Sequence, residues 1–263
     1  MRNEPLVLSL SGHDPTGGAG IQADIEAITA TGGRACTVIT ALTVQDSVDV
    51  HAVLPQRRED FLAQAAALLA EFPIAAIKIG LLGSAAIAKA VADLLQRVDP
   101  ATPVVIDPVL AAGGGKELAG NGLLTILRTR LLPHCILLTP NTHEAARLGG
   151  SADPDACAAA LLALGCANVL ITGTHEASAD VLNRLYSPHG RRRYRWPRLP
   201  HGYHGSGCTL ASACASYLAQ GYPLETAVEL AQRYTWWSLK QGFRPGRGQH
   251  FPHRRMVPGG EAS

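Results

Sequence analysis

Short runs of apolar residues alternate along the chain with longer segments rich in Ala and Leu, and this alternation sets the expected fold. Residues 6–10 (LVLSL) predict a first strand, 21–30 a helix, 35–41 a strand and 59–71 a helix. Residues 75–79 predict a strand, 85–97 a helix, 104–106 a strand, and 118–131 a helix that follows a glycine run at 113–115. A strand at 135–139 stops at Pro140, and a short helix at 155–164 leads into a strand at 169–172. Several strand runs are almost continuously apolar, as strands covered on both faces should be. The βα series predicts an α/β fold: a doubly wound, mostly parallel central sheet with helices on both faces and ligands at the carboxyl ends of its strands.

From Asp180 the texture changes. VLNRLY and RRRYRW flank SPHG, which predicts a short antiparallel hairpin near 180–198, followed by helices over 208–220 and 224–240. A tail rich in Gly, Pro, His and Arg from about 243 to 263 is expected to be loosely ordered. No linker divides the 263 residues, so a single domain is expected.

Composition narrows the function classes. Hydrophobic residues make up 47% and charged residues 17%, too apolar for a disordered chain. No apolar run reaches the roughly 18 to 20 residues of a membrane span, and the first apolar stretch is too short for a secretory signal. Six cysteines without a CxxC pair fit a reduced cytoplasm, so a cytoplasmic protein with no membrane partner is expected. Residues 1–183 carry 11 basic against 18 acidic side chains and residues 184–263 carry 12 against 3, so the last third should favour anions. Arg191, Arg192, Arg193, Arg195 and Arg198, interleaved with Tyr194 and Trp196, are read as the solvated face of a strand with the aromatics inward, and no nucleic-acid partner is expected.

Three constellations can carry chemistry. SGHDPTGGAGIQAD (residues 11–24) places glycines between a strand and a helix, where the backbone can approach a ligand closely; it is neither a dinucleotide fingerprint nor a P-loop. TPNTHE places Asn141 and Glu144 just past a strand, either as ligand groups or as a capping box, with Asp107 a second carboxylate at the same sheet edge. Oxygen ligands there suit Mg²⁺ carried in by a phosphate substrate. HGSGCTLASA (204–213) puts Gly205, Ser206 and Gly207 at a helix start, an anion site by geometry and dipole. Cys208 falls at the positive end of that helix, where a thiol pKa is lowered and a thiolate can accept a proton. Ten histidines show no zinc spacing.

With these motifs in place, the sequence resembles the hydroxymethylpyrimidine and phosphomethylpyrimidine kinases of thiamine biosynthesis, within the ribokinase-like superfamily. The likeness runs from about residue 5 to 242 and rests also on ITALTVQD (39–46), AIKIGLLGS (76–84), VVIDPVL (104–110) and LLTPNTHEA (137–145). It implies ATP- and Mg²⁺-dependent phosphorylation of 4-amino-5-hydroxymethyl-2-methylpyrimidine and of its monophosphate, and a homodimer. It implies that Gly12, Asp24 and Gln45 hold the pyrimidine, that Asn141 contacts the nucleotide, and that Asp107 and Glu144 organise the metal. Gly205, Ser206, Gly207 and Cys208 would form the catalytic turn. Thr172 stands where the family carries a Lys for nucleotide phosphates, a deficit for which Lys116 is a candidate replacement. The alternatives are a pyridoxal or pyridoxamine kinase, whose substrate is also a flat heterocycle with a hydroxymethyl group, and a pyrimidine-binding regulator with impaired catalysis.

Overall fold

The structure, a computed structural model, describes residues 4–111 and 120–255. Among them, nine strands form one sheet in the order β3-β2-β1-β4-β5-β6-β7-β8-β9. Strands β1 (Leu6–His13), β2 (Arg34–Gln45), β4 (Ile74–Ile79), β5 (Val104–Ile106), β6 (Leu137–Leu138) and β7 (Val169–Ile171) run parallel. At one edge β3 (Val50–Pro55) is antiparallel to β2, and at the other β8 (Asp180–Ser187) and β9 (Gly190–Pro197) form the expected hairpin against β7. The α/β architecture with a mostly parallel, doubly covered sheet is therefore observed.

Alternation along each central strand assigns its side chains to two cores. Leu8, Leu10, Ile77, Ile79, Ile106 and Leu138 point to one face, where α2 (Arg58–Glu71), α3 (Ala85–Leu95), α4 (Asn121–Ile126), α5 (Thr142–Gly149) and α6 (Pro154–Ala163) pack. Val7, Ala76, Val105, Leu137 and Leu170 point to the other, beneath α1 (Gly20–Ala30), α7 (Ser206–Ala219) and α8 (Leu224–Lys240). Small residues at Ala211, Ala213 and Ala215 bring α7 close to the sheet. No helix of the described residues is long and apolar enough to cross a membrane.

Three local expectations are corrected. The strand expected at 35–41 continues to Gln45 and turns at Asp46, whose Oδ1 accepts the Val48 and Asp49 N–H groups, so β3 forms a hairpin that the pattern left unassigned. The helix expected to 131 is α-helical only to Ile126 and continues as a π turn over Leu127–Leu131. The tail expected to be loose from 243 is exposed over 243–247 but packed at its described end: Phe251 and Arg254 are buried, and Gln249 N–H donates to Ser47 O at 2.9 Å. Residues 256–263 lie outside the described residues.

Candidate active site

Helix α7 starts on a sharp turn at His204–Gly205. Gly205 has φ 80°, a left-handed conformation, and a β-carbon there would overlap the Gly18 carbonyl oxygen. No side chain caps this helix, so Ser206, Gly207 and Cys208 present the backbone N–H groups that a helix start leaves without intrahelical acceptors. All three residues line a cavity of about 490 Å³ bounded by Asp107, Thr139, Asn141, Glu144 and Thr172. Those five residues lie at or just beyond the carboxyl ends of β5, β6 and β7. The turn thus presents unpaired N–H donors and the positive end of a helix to this cavity at the predicted sheet edge, an arrangement that suits an anion.

The first loop is locked onto this turn. Asp14 Oδ1 accepts the Thr16 N–H and hydroxyl, each at 2.8 Å, and Oδ2 accepts the Ala19 N–H at 2.8 Å while His204 Nε2 lies 2.8 Å away. Burial alone would raise the Asp14 carboxyl; hydrogen bonds from His204 and Thr16 outweigh it and hold the pKa at about 2. A carboxyl depressed in the folded state stabilises the fold above its unfolded pKa, and that stabilisation disappears as pH falls from about 4 through about 2. The Asp14→Asn variant should therefore show a flatter loss of urea midpoint than wild type over that acid range; parallel curves would exclude the latch.

On the opposite wall Asn141 and Glu144 make a full capping box at the start of α5. Asn141 Oδ1 accepts the N–H groups of His143 and Glu144 at 2.9 and 3.0 Å, and Glu144 Oε2 accepts the Asn141 N–H at 2.9 Å. Both readings of TPNTHE therefore coexist, because the capped pair also faces the cavity. Burial pushes Glu144 up to about 8, helped by the charge of Asp107, and pushes Asp107 up to about 6 against the opposing pull of Lys78. Gly207 lets α7 approach Asp107, whose carboxylate oxygen would lie 3.4 Å from a β-carbon there. Two desolvated carboxylates in one cavity repel each other, and a divalent cation would relieve that repulsion. No group of three or more His, Cys, Asp or Glu among the described residues forms a metal cage.

Cys208 differs from the sequence expectation. Its thiol is raised to about 12, because burial, helped by the charges of Asp107 and Asp24, outweighs the attraction of Lys78 and a hydrogen bond from the Gly20 backbone. It is a thiol at neutral pH and donates to Asp107. The lowered thiol pKa expected from the helix start is therefore not found, since desolvation disfavours the charged form.

Asp24, expected at the pyrimidine, is instead wholly buried between α1, α7 and the sheet. Its carboxylate pairs with Lys78 Nζ at 2.8 Å and accepts the hydroxyls of Ser9 at 2.6 Å and Ser212 at 2.7 Å. Lys78 comes from β4 and also lies wholly buried; burial would lower its pKa, but the adjacent Asp24 carboxylate, with Asp107 nearby, reverses that and keeps it protonated. This pair underlies the site without opening into the cavity. Gly12 lies near the end of β1 against Leu81, and Gln45 ends β2. Neither lines the 490 Å³ cavity, whereas Thr172 does. Lys116 lies outside the described residues.

The arginine row is largely neutralised by acids. Arg191 pairs with Asp155, Arg192 with Glu225 and Glu229, and Arg195 with Asp180, while Tyr194 is buried. Arg198 lines the cavity, yet its guanidinium donates to the carbonyls of Thr174, Glu176 and Ser178 and so shapes the loop after β7. The residues that sequence reasoning missed are Asp14, His204, Lys78 and Arg254. A lysine inside the apolar run AAIKIG was the one legible signal among them.

The family model described as phosphomethylpyrimidine kinase matches residues 14–253. The hydroxymethylpyrimidine/phosphomethylpyrimidine kinase of Streptomyces coelicolor is 39% identical, over 93% of this chain and 92% of its own length. The thiamine biosynthesis bifunctional protein ThiED of Geobacter sulfurreducens is also 39% identical over 95% of this chain, which spans only 52% of that longer protein. Among solved structures, the pyridoxal kinase of Staphylococcus aureus in complex with ADP superposes with a TM-score of 0.88 at 26% identity, covering 96% of this chain and 94% of that one. With the family match running from the first loop through the α7 turn to the packed tail, the chain belongs to the phosphomethylpyrimidine kinase family.

Proposed function

We propose that this protein transfers the γ-phosphoryl group of ATP to the hydroxymethyl oxygen of 4-amino-5-hydroxymethyl-2-methylpyrimidine, and in a second reaction to the resulting monophosphate. The observation that carries the reading is the uncapped front of α7, at Ser206, Gly207 and Cys208, facing two buried carboxylates across one cavity. Donors fixed before the reaction stabilise the charge that spreads over a phosphoryl group in flight without reorganising at the moment of transfer. The nucleotide would lie along the carboxyl ends of β6 and β7, with Asn141 and Thr172 beside its phosphates and Val181, Trp196 and Leu239 offering an apolar slot for its base. The ring would lie on the first-loop side, between Gly12 and Gln45.

Asp107 and Glu144 are the groups that would hold Mg²⁺, and the ion would supply charge neutralisation on the phosphates. Two carboxylates suit an ion that keeps several waters and arrives with its nucleotide. Cys208, held as a thiol, does not take the substrate proton early; a loose transition state leaves that proton on the attacking oxygen until late. The attacking alcohol therefore needs positioning more than it needs a strong base.

The same reading includes a homodimer in the cytoplasm. Leu42 and Leu54, paired across β2 and β3 and 39% and 50% exposed, lie with Val44 on an outward apolar face suited to a second copy. Six free cysteines suit a reducing compartment. A second enzymatic reading, a pyridoxal kinase, is favoured by the likeness to the Staphylococcus aureus structure, but at lower identity than the pyrimidine kinases. Kinetics with the pyrimidine alcohol, its monophosphate and pyridoxal in parallel decide between them: kcat/KM should be highest for a pyrimidine substrate. Equal or higher kcat/KM for pyridoxal would reverse the assignment, and ligand binding without any ADP release would make the protein a regulator.

A further inference from the structure

Arg254 lies one residue beyond the family match, and its side chain is 1% exposed. Removing a guanidinium from water costs several kcal/mol in general, so its placement calls for strong partners. It has them on both halves of the site. Nε donates to Thr209 Oγ1 at 2.8 Å, and that hydroxyl donates to Gly205 O at 2.8 Å, which ties the cation to the turn that opens α7. Nη2 donates to Gly18 O, and Nη1 donates to Gly17 O at 3.4 Å and to Glu26 Oε2 at 3.2 Å. The backbone is fixed as well, since the buried Tyr234 hydroxyl donates to Arg254 O at 2.7 Å. One planar donor fork, with four hydrogen bonds, therefore spans the first loop and the phosphoryl-binding turn, which have no covalent link nearer than 180 residues of chain.

We propose that Arg254 is a positioning residue for phosphoryl transfer: it fixes the separation between the first loop, which presents the acceptor alcohol, and the α7 turn, which receives the phosphoryl group. The proposal rests on the function assigned above. Asp14 and His204 latch the same two segments on the side facing Ala19, whereas Arg254 holds them through the Gly17 and Gly18 carbonyls. With only one latch left, the loop can pivot about it, and a pivot of an ångström at the reacting atoms is enough to slow transfer about 100-fold.

The test is steady-state kinetics of Arg254→Ala and Arg254→Lys on the full chain, with thermal unfolding measured in parallel. Wild-type turnover of the pyrimidine alcohol checks the functional assignment separately; if only pyridoxal is turned over, the variants are read with pyridoxal. Arg254→Ala should lose kcat by about 100-fold while KM for ATP and for the alcohol change by no more than about threefold. Added guanidinium ion should restore part of that kcat. Arg254→Lys keeps the charge but not the planar fork, and should still lose about tenfold. If Arg254→Ala does not fold, Arg254→Lys alone decides. A folded variant with wild-type kcat, or a loss of activity that follows the folded fraction and is not rescued by guanidinium, overturns the proposal.

Discussion

Replacing Gly205 by alanine is expected to lower kcat by a hundredfold or more, on the order of what removing a preorganised donor from an anion hole costs. Gly221, at the other end of the same helix, supplies the contrast. Gly221 follows α7 with φ 83° and open space around it, so alanine there meets only the left-handed penalty of about 1–2 kcal/mol. Gly205 has nearly the same backbone angle, 80°, but a β-carbon would collide with Gly18 O and sit 2.7 Å from the Arg254 guanidinium. The turn or the first loop must move, and with it the N–H groups of Ser206, Gly207 and Cys208. Gly221→Ala should thus lose stability with unchanged kcat, and Gly205→Ala should lose both. Cys208→Ser should cost less than about tenfold in kcat, because a thiol held near 12 is no base to lose. Equal kcat for the two glycine variants, or a Cys208→Ser defect larger than that of Gly205→Ala, would move the chemistry away from the α7 turn.

Lys78→Met is expected to be the most destabilising single change under the sheet, by about 3–5 kcal/mol, because it leaves the Asp24 carboxylate buried without its cation. Ser9 and Ser212 still donate to that carboxylate, yet neutral hydroxyls cannot replace a full charge 2.8 Å away. Urea unfolding reads the effect directly. Adding Asp24→Asn to Lys78→Met should recover part of the loss, since the double variant buries no net charge; additive losses would show that the two residues are not energetically coupled. The pair acts on the site only at a distance, through the charge of Lys78 on Asp107 and Cys208.

Much of the fold was written in periodicity. The central strands are short apolar runs, and each fills two cores by alternation, so their number and spacing could be read without long-range information. β3 escaped because its residues are half exposed and its pairing depends on a turn at Asp46 that only the hairpin makes visible. The α7 turn was legible because glycine, helix start and anion chemistry coincide locally. Asp24 was not: its position on α1 beside Ala23, Ala27 and Ile28 marks it as inward, but what makes an inward aspartate tolerable is Lys78, 54 residues away. The reversed direction of the Cys208 pKa has the same origin. A helix dipole can be inferred from ten residues of sequence, whereas desolvation depends on everything packed around the sulfur.

The segment from Phe243 to Arg255 comes after every strand and helix of the fold, yet it touches the β2–β3 turn through Ser47, the α7 turn through His204 and Thr209, and the first loop through Gly17 and Gly18. A chain cut after Lys240 would keep every named strand and helix of the described residues but lose the contacts through which Arg254 joins the first loop to the α7 turn. Such a truncation should leave a folded α/β body whose first loop and α7 turn still meet through Asp14 and His204 but are no longer spanned by a guanidinium.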